Sequence, residues 1–157
     1  MINSKKMKKI ALFITVIVCF CGSVFAQSKT LSGSQLALRT SIQSYLKTEG
    51  FQPTIDDDWD IKFKRQGDTY FVEVSATDDN PLFVTLSKYF GYNDAVTRTK
   101  LLLFNGDNDY KMCKIIPQNE YYIIKSQMFL TTSSSFTSIF YRILKVMDGV
   151  EEEIRKI

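Results

Sequence analysis

Seven apolar residues near the C-terminus, Phe136, Ile139, Phe140, Ile143, Leu144, Met147 and Val150, recur every three or four positions. On a helix of 3.6 residues per turn they form one stripe. Burying them contributes roughly 10–20 kcal/mol gross, at about 1.5–3 kcal/mol each. Lost chain entropy of similar size opposes that gain. Such a helix needs a broad apolar surface to lie on, and the upstream segments supply it as strands.

From Ile55 the chain alternates. Ile55, Asp57, Trp59, Ile61 and Phe63 fall on one side; Asp56, Asp58, Asp60, Lys62 and Lys64 fall on the other. Gln66-Gly67-Asp68 is a turn signal, and Thr69 to Ala76 alternates again, with Tyr70, Val72, Val74 and Ala76 sharing a face. Two alternating runs around a short glycine turn predict an antiparallel hairpin. Asp78-Asp79-Asn80-Pro81 breaks the pattern. A third strand spans Leu82 to Tyr89, with Leu82, Val84 and Leu86 opposite Phe83, Thr85 and Ser87. A fourth runs from Tyr110 to Ile116 and a fifth from Tyr121 to Leu130, joined by a turn at Pro117-Gln118-Asn119-Glu120.

Two helices precede the C-terminal one. Ser32 and Gln35 have the spacing of a capping box. Leu38, Ile42, Tyr45 and Leu46 then mark one helical face, and Gly50 supplies a stop. The first helix is expected over Ser34 to Glu49. Asn93 and Asp94 suit a second helix start, predicting a helix from Ala95 to about Phe104, closed by Asn105-Gly106. The polar run Asp107-Asn108-Asp109 then reads as a loop, and Thr131 to Ser135 as the hinge before the last helix. The order α-β-β-β-α-β-β-α predicts an α+β fold: an antiparallel five-stranded sheet with helices packed on one face.

The first 26 residues have a different character. Lys5, Lys6, Lys8 and Lys9 carry positive charge with no acid nearby. Ile10 to Phe20 is uncharged and apolar, and Val24-Phe25-Ala26 precedes Gln27. A basic start, a short apolar middle and small residues at −3 and −1 predict a secretory signal peptide cleaved after Ala26. The working protein is then a single periplasmic or secreted domain, residues 27–157, with no stable membrane insertion. The 17-residue apolar run from Ile10 to Ala26 sits at the low limit for an uncleaved anchor. The residues before Cys19 and Cys21 are not the small ones that lipoprotein processing favours.

Removing the leader changes the charge balance. The whole chain carries +3, but residues 27–157 hold 16 basic and 17 acidic residues, a net charge of −1. That balance argues against a nucleic-acid partner. It also leaves Cys113 as the sole cysteine, so no internal disulfide forms. Cys113 is either a buried, inert thiol or a reactive one.

The chain contains no histidine, which excludes Ser-His-Asp and Cys-His catalysis and histidine-based metal sites. No glycine-rich phosphate loop occurs. No catalytic, cofactor-binding or metal-binding set is therefore expected. Asp56, Asp58 and Asp60 are a weak ion candidate, because alternate carboxylates can meet a calcium ion. The EF-hand pattern fails at Ile61, where glycine is required, and at Gly67, where glutamate is. The plainer reading is a solvated strand face. Phe71 and Phe83 point away from the expected core residues of their strands and, with Trp59, form the candidate partner surface.

Gly50-Phe51, the run Ile55-Asp56-Asp57-Asp58-Trp59-Asp60-Ile61-Lys62-Phe63, the segment Gly67 to Val74, Asp78-Asp79, the strand Tyr121 to Leu130 and the amphipathic last helix together resemble the YbjN-like domain family, with its type III secretion chaperone-like fold. Trp59 stands where a glycine is commoner in that family. The resemblance implies a fold and a binding role, and no reaction. The expectation is an exported, non-enzymatic protein-binding or chaperone-like module, acting on a protein partner or by self-association. A small-molecule or calcium-binding domain and a carboxylate-dependent hydrolase are the alternatives.

Overall fold

Ser32 opens the first helix with a reciprocal cap. Its hydroxyl accepts from the Gln35 N–H, while the Ser32 N–H donates to the Gln35 side-chain oxygen at 2.7 Å. The computed structural model describes residues 30–107 and 112–157. The expected leader, with its cleavage site, lies outside them, as do Tyr110 and Lys111 of the predicted fourth strand. Helix α1 spans Gly33–Thr48 and buries Leu38, Ile42 and Leu46. Past its end, Gly50 adopts φ +87°, which an L side chain rarely takes. Its N–H then reaches Lys47 O, and the Phe51 N–H reaches Leu46 O. This paired closure satisfies carbonyls that a helix end would otherwise leave open.

Six strands follow, one more than expected: β1 Thr54–Ile55, β2 Ile61–Arg65, β3 Asp68–Asp79, β4 Leu82–Gly91, β5 Lys114–Pro117 and β6 Tyr121–Leu130. They form one antiparallel sheet in the order β1-β2-β3-β4-β6-β5. The extra strand arises because the predicted run from Ile55 to Lys64 breaks at Asp56. The Asp56 carboxylate accepts from the N–H groups of Asp58 (3.1 Å) and Asp60 (2.9 Å). Trp59 takes φ +67°, and the chain doubles back, so Thr54 pairs with Lys62. An aspartate that bonds backbone two residues on competes with the ladder. Gln66 and Gly67 both have positive φ, the conformation a two-residue hairpin turn uses to match strand twist.

Two other boundaries shift. The Asn93 side chain accepts from Ala95 and Val96 N–H and closes a separate turn. Helix α2 therefore begins later than expected, at Arg98, with the Thr97 hydroxyl accepting from Lys100 N–H, and it continues to Asp107 through the predicted Asn105-Gly106 stop. Strand β3 runs through Asp78 to Asp79, with a register irregularity after Val74, and turns at a cis Asn80-Pro81 bond.

Helix α3, Ser133–Ile154, carries the stripe that dominates the sequence. Phe136, Phe140, Ile143, Leu144, Met147 and Val150 are buried, with Ile139 packed at the margin. They join Leu38, Ile42 and Leu46 of α1, Leu101 of α2, and Ile61, Phe63, Tyr70, Val72, Val74, Val84, Leu86 and Ile124 of the sheet in one core. Phe140 is its hub. Its ring lies 5.4–6.1 Å from those of Tyr45, Phe51, Phe63 and Phe136, so it ties both long helices to the sheet.

The two sheet edges differ. At β5, Asn105 Nδ2 donates to Ile115 O at 3.2 Å, and Pro117 has no N–H to offer. At β2, the two-residue β1 covers only Ile61 and Lys62. No helix among the described residues is long and apolar enough to cross a membrane.

Candidate functional site: the open face of the sheet

Strand side chains alternate between faces, so burying Val72, Val84, Leu86 and Ile124 turns their neighbours the other way. That second face carries Phe71 of β3, Phe83 and Tyr89 of β4, and Tyr121 and Phe129 of β6. Phe83 pairs directly with Phe129, their rings 4.8 Å apart. Tyr89 bridges Phe71 at 5.2 Å and Tyr121 at 5.8 Å. Two aromatic groups thus flank the small residues Thr85 and Ser87 of the central strand. Phe129 is 65% exposed and Tyr89 48%, while Phe71 and Phe83 are half-buried. Partial burial, with Tyr121, Asp60 and Glu73 nearby, raises the Tyr89 phenol above its ordinary value despite its Ser87 hydrogen bond. Lys62 lies over the Phe71 ring at 5.7 Å. Lys62, Lys64, Lys114 and Lys125 frame the aromatics from both sides.

Phe71 and Phe83 therefore occupy the face expected for them. Trp59 does not join them. It sits in the β1–β2 loop, beneath the Arg39 guanidinium of α1 at 4.9 Å, and is 48% exposed. The aspartates are likewise dispersed. Asp56 is turned into its own loop, and among the described residues no three acidic, cysteine or histidine side chains converge as an ion cage would. Asp56→Ala should cost about 1 kcal/mol in urea unfolding, since it removes the side-chain oxygen to which two backbone N–H groups donate. Asp56→Asn, which keeps one oxygen, should cost less than half of that.

Cys113 is 4% exposed and precedes β5, although a strand was expected to contain it. Burial pushes its thiol up to about 11, against an opposing hydrogen bond from Ser126. From an ordinary value of 9.0, that shift leaves roughly a hundredfold less thiolate near neutral pH. Alkylation at pH 8 should accordingly run at least ~100-fold slower in the native protein than in urea, as followed by mass spectrometry.

A charged cluster escaped the sequence reading. Lys88 of β4 is 3% exposed and donates to Asp68 at 2.7 Å and to Glu151 of α3. Its ammonium also faces Phe90 at 4.7 Å and Tyr70 at 5.3 Å. Arg155 holds the second oxygen of Glu151, and Arg65 pairs with Asp148 at 3.0 Å. Asp68, Lys88, Asp148, Glu151 and Arg155 line a cleft of about 280 Å³. Burial alone would lower the Lys88 pKa, but its bonds to Asp68 and Glu151 outweigh that and raise it. A lysine held more firmly protonated than usual makes a poor nucleophile or base, and every member of the cluster already has a partner. The cluster is a lock between β4 and α3. A signal for it was present: Lys88 continues the phase of Val84 and Leu86, and Glu151 follows Met147 by four positions.

No family model matches the chain, and no curated protein matches it. Among solved structures, an uncharacterized protein from Methanothermobacter thermautotrophicus has a similar fold, with a TM-score of 0.54 and 11% identity, covering 76% of this chain and 97% of that one. At that identity the likeness concerns the fold alone.

Proposed function

We propose that the chain is exported through its N-terminal leader and serves as a non-enzymatic protein-binding or chaperone-like module, with the open sheet face as its working surface. One observation carries this reading: five aromatic rings lie on the face opposite the helices, and Phe129, Tyr89 and Tyr121 are 65%, 48% and 41% exposed. Contiguous exposed aromatics are unusual on a monomeric surface and are enriched at the centres of interfaces. Lysines around them give a polar rim, as protein interfaces commonly have. The YbjN-like resemblance supports the same reading.

The test is suppression of aggregation of an unfolding client, read by light scattering. The domain should delay scattering when present in slight excess. A triple variant, Phe71→Ser, Tyr89→Ser and Phe129→Ser, should lose most of that protection while keeping its circular dichroism. Equal protection by the variant would remove the open face from consideration.

A further inference from the structure

Two observations converge on a second binding site at the β2 edge, which adjoins the open face and shares its Lys62 and Lys64. In the β2–β3 hairpin, Arg65 pairs with Asp68 across a two-residue turn, Phe63 with Tyr70, and Ile61 with Val72. The closing pair of such a hairpin exchanges backbone hydrogen bonds, and pairs of the same parity do likewise. Lys62 and Lys64 therefore direct their N–H and C=O groups outward. Lys62 meets Thr54 of β1. Strand β1 then ends, and the chain turns off at Pro53 toward α1. Lys64 stands opposite Thr69 of β3, and among the described residues no strand pairs with its outward side. Beside it the departing chain leaves a groove of about 400 Å³, lined by Gly50, Phe51, Gln52 and Thr54 on one side and by Lys62, Phe63 and Lys64 on the other.

We propose that this groove takes a short extended peptide, in which acidic and apolar residues alternate, as an added strand alongside β2. The edge supplies main-chain partners, the usual source of affinity in strand addition, while pockets for alternate side chains supply selectivity. Side chains of the added strand would alternate between two environments. On the helix side they meet the half-buried Phe51, whose ring packs at 5.2 Å on the buried Phe63. On the open side they meet the ammonium groups of Lys62 and Lys64. A second copy of this chain is a poor occupant. Pairing β2 with β2 sets lysine beside lysine at about 5 Å, which disfavours the assembly. The same charges welcome carboxylates. About three residues fit along Phe63–Arg65, the stretch that β1 leaves uncovered, at ~3.3 Å each, so binding is weak and suited to repeated or extended clients.

The experiment uses NMR with two capped hexapeptides, one alternating valine with glutamate and one alternating valine with lysine. The glutamate peptide should shift the amides of Phe51 and Lys62 to Lys64. It should also slow hydrogen exchange at the Lys64 N–H at least tenfold at saturation, and high salt should weaken it. Lys64→Pro removes the outward N–H without touching the β2–β3 ladder, and should abolish binding in a folded protein. Lys62→Glu with Lys64→Glu should reverse the preference in favour of the lysine peptide, even if the proline variant fails to fold. The proposal is overturned by equal binding of both peptides to the native protein. It is also overturned by undiminished binding to folded Lys64→Pro, by no shifts at millimolar peptide, or by Lys64 exchange protection arising from self-association alone. The open-face double variant Tyr89→Ser with Phe129→Ser, which keeps Phe71 beneath Lys62, should bind the glutamate peptide normally, so this site and the proposed function fail separately.

Discussion

Lys88→Ala should destabilise the domain by about 3 kcal/mol, because removing one partner of a buried ion pair leaves the other charge desolvated. Glu151 is 6% exposed and would keep only Arg155, which itself stands largely in water. That surviving contact places the loss at the low end of the usual range. For a domain of this size the melting temperature should fall by roughly 10 °C, measured by calorimetry. The paired replacement Lys88→Met with Glu151→Leu should recover most of the loss, since an apolar pair of similar volume is often neutral or better. Retention of wild-type melting by Lys88→Ala would show that the ammonium contributes little. The pH dependence has a definite sign. The native Lys88 pKa is raised above 10.5, so its contribution is complete below that pH and is lost as pH climbs through the native value. Lys88→Met should erase that alkaline component of unfolding.

Phe140→Ala should cost about 4 kcal/mol and lower the melting temperature by roughly 15 °C. Phe140 is fully buried and meets aromatic rings from α1, from the segment behind it, from β2 and from its own helix. Neighbours from four directions cannot collapse together into the void, so most of the cavity persists. Tyr141 is the natural control. It is half exposed, and its hydroxyl donates to Glu49 at 2.6 Å. Tyr141→Phe should change stability by less than ~0.5 kcal/mol, as exposed contacts generally do. A similar small effect at Phe140 would mean that α3 does not depend on this ring.

Much of this architecture was legible in the pattern of apolar residues. The α3 stripe, the Ser32–Gln35 cap, the Gly50 stop and the alternation of β3 and β4 each follow from a local periodicity, and burial of one face enforces each. The miss at Asp56 has a different origin. Alternation over Ile55 to Lys64 is satisfied on paper by a single long strand, but one carboxylate offers two N–H groups a local partner and folds the chain back. The late start of α2 has the same cause, with Asn93 capturing the first free N–H groups. Side-chain-to-backbone competition of this kind leaves no periodic trace.

The open face was partly legible. Phe71 and Phe83 sit opposite the core residues of their strands, and parity alone places them. Phe129 and Tyr121 required knowing that β6 inserts between β4 and β5, a long-range pairing that no local pattern encodes. Trp59 shares the parity of Ile61 and Phe63, but the turn at Asp56 interrupts the strand there and leaves Trp59 exposed in the loop, away from Phe71 and Phe83. Lys88 shows the opposite error: a charge on the core side is improbable until a second charge arrives from a distant helix to meet it.

The asymmetry of the sheet edges has a consequence for growth. At the β5 end, Asn105 and Pro117 deny an incoming strand its hydrogen bonds. At the β2 end, two lysines refuse another copy of the same surface. If the proposed strand adds at β2, and only from a chain unlike this one, the sheet cannot propagate. Growth would stop after that one strand, because the far end of the sheet, at Pro117 of β5, offers no N–H to a further chain.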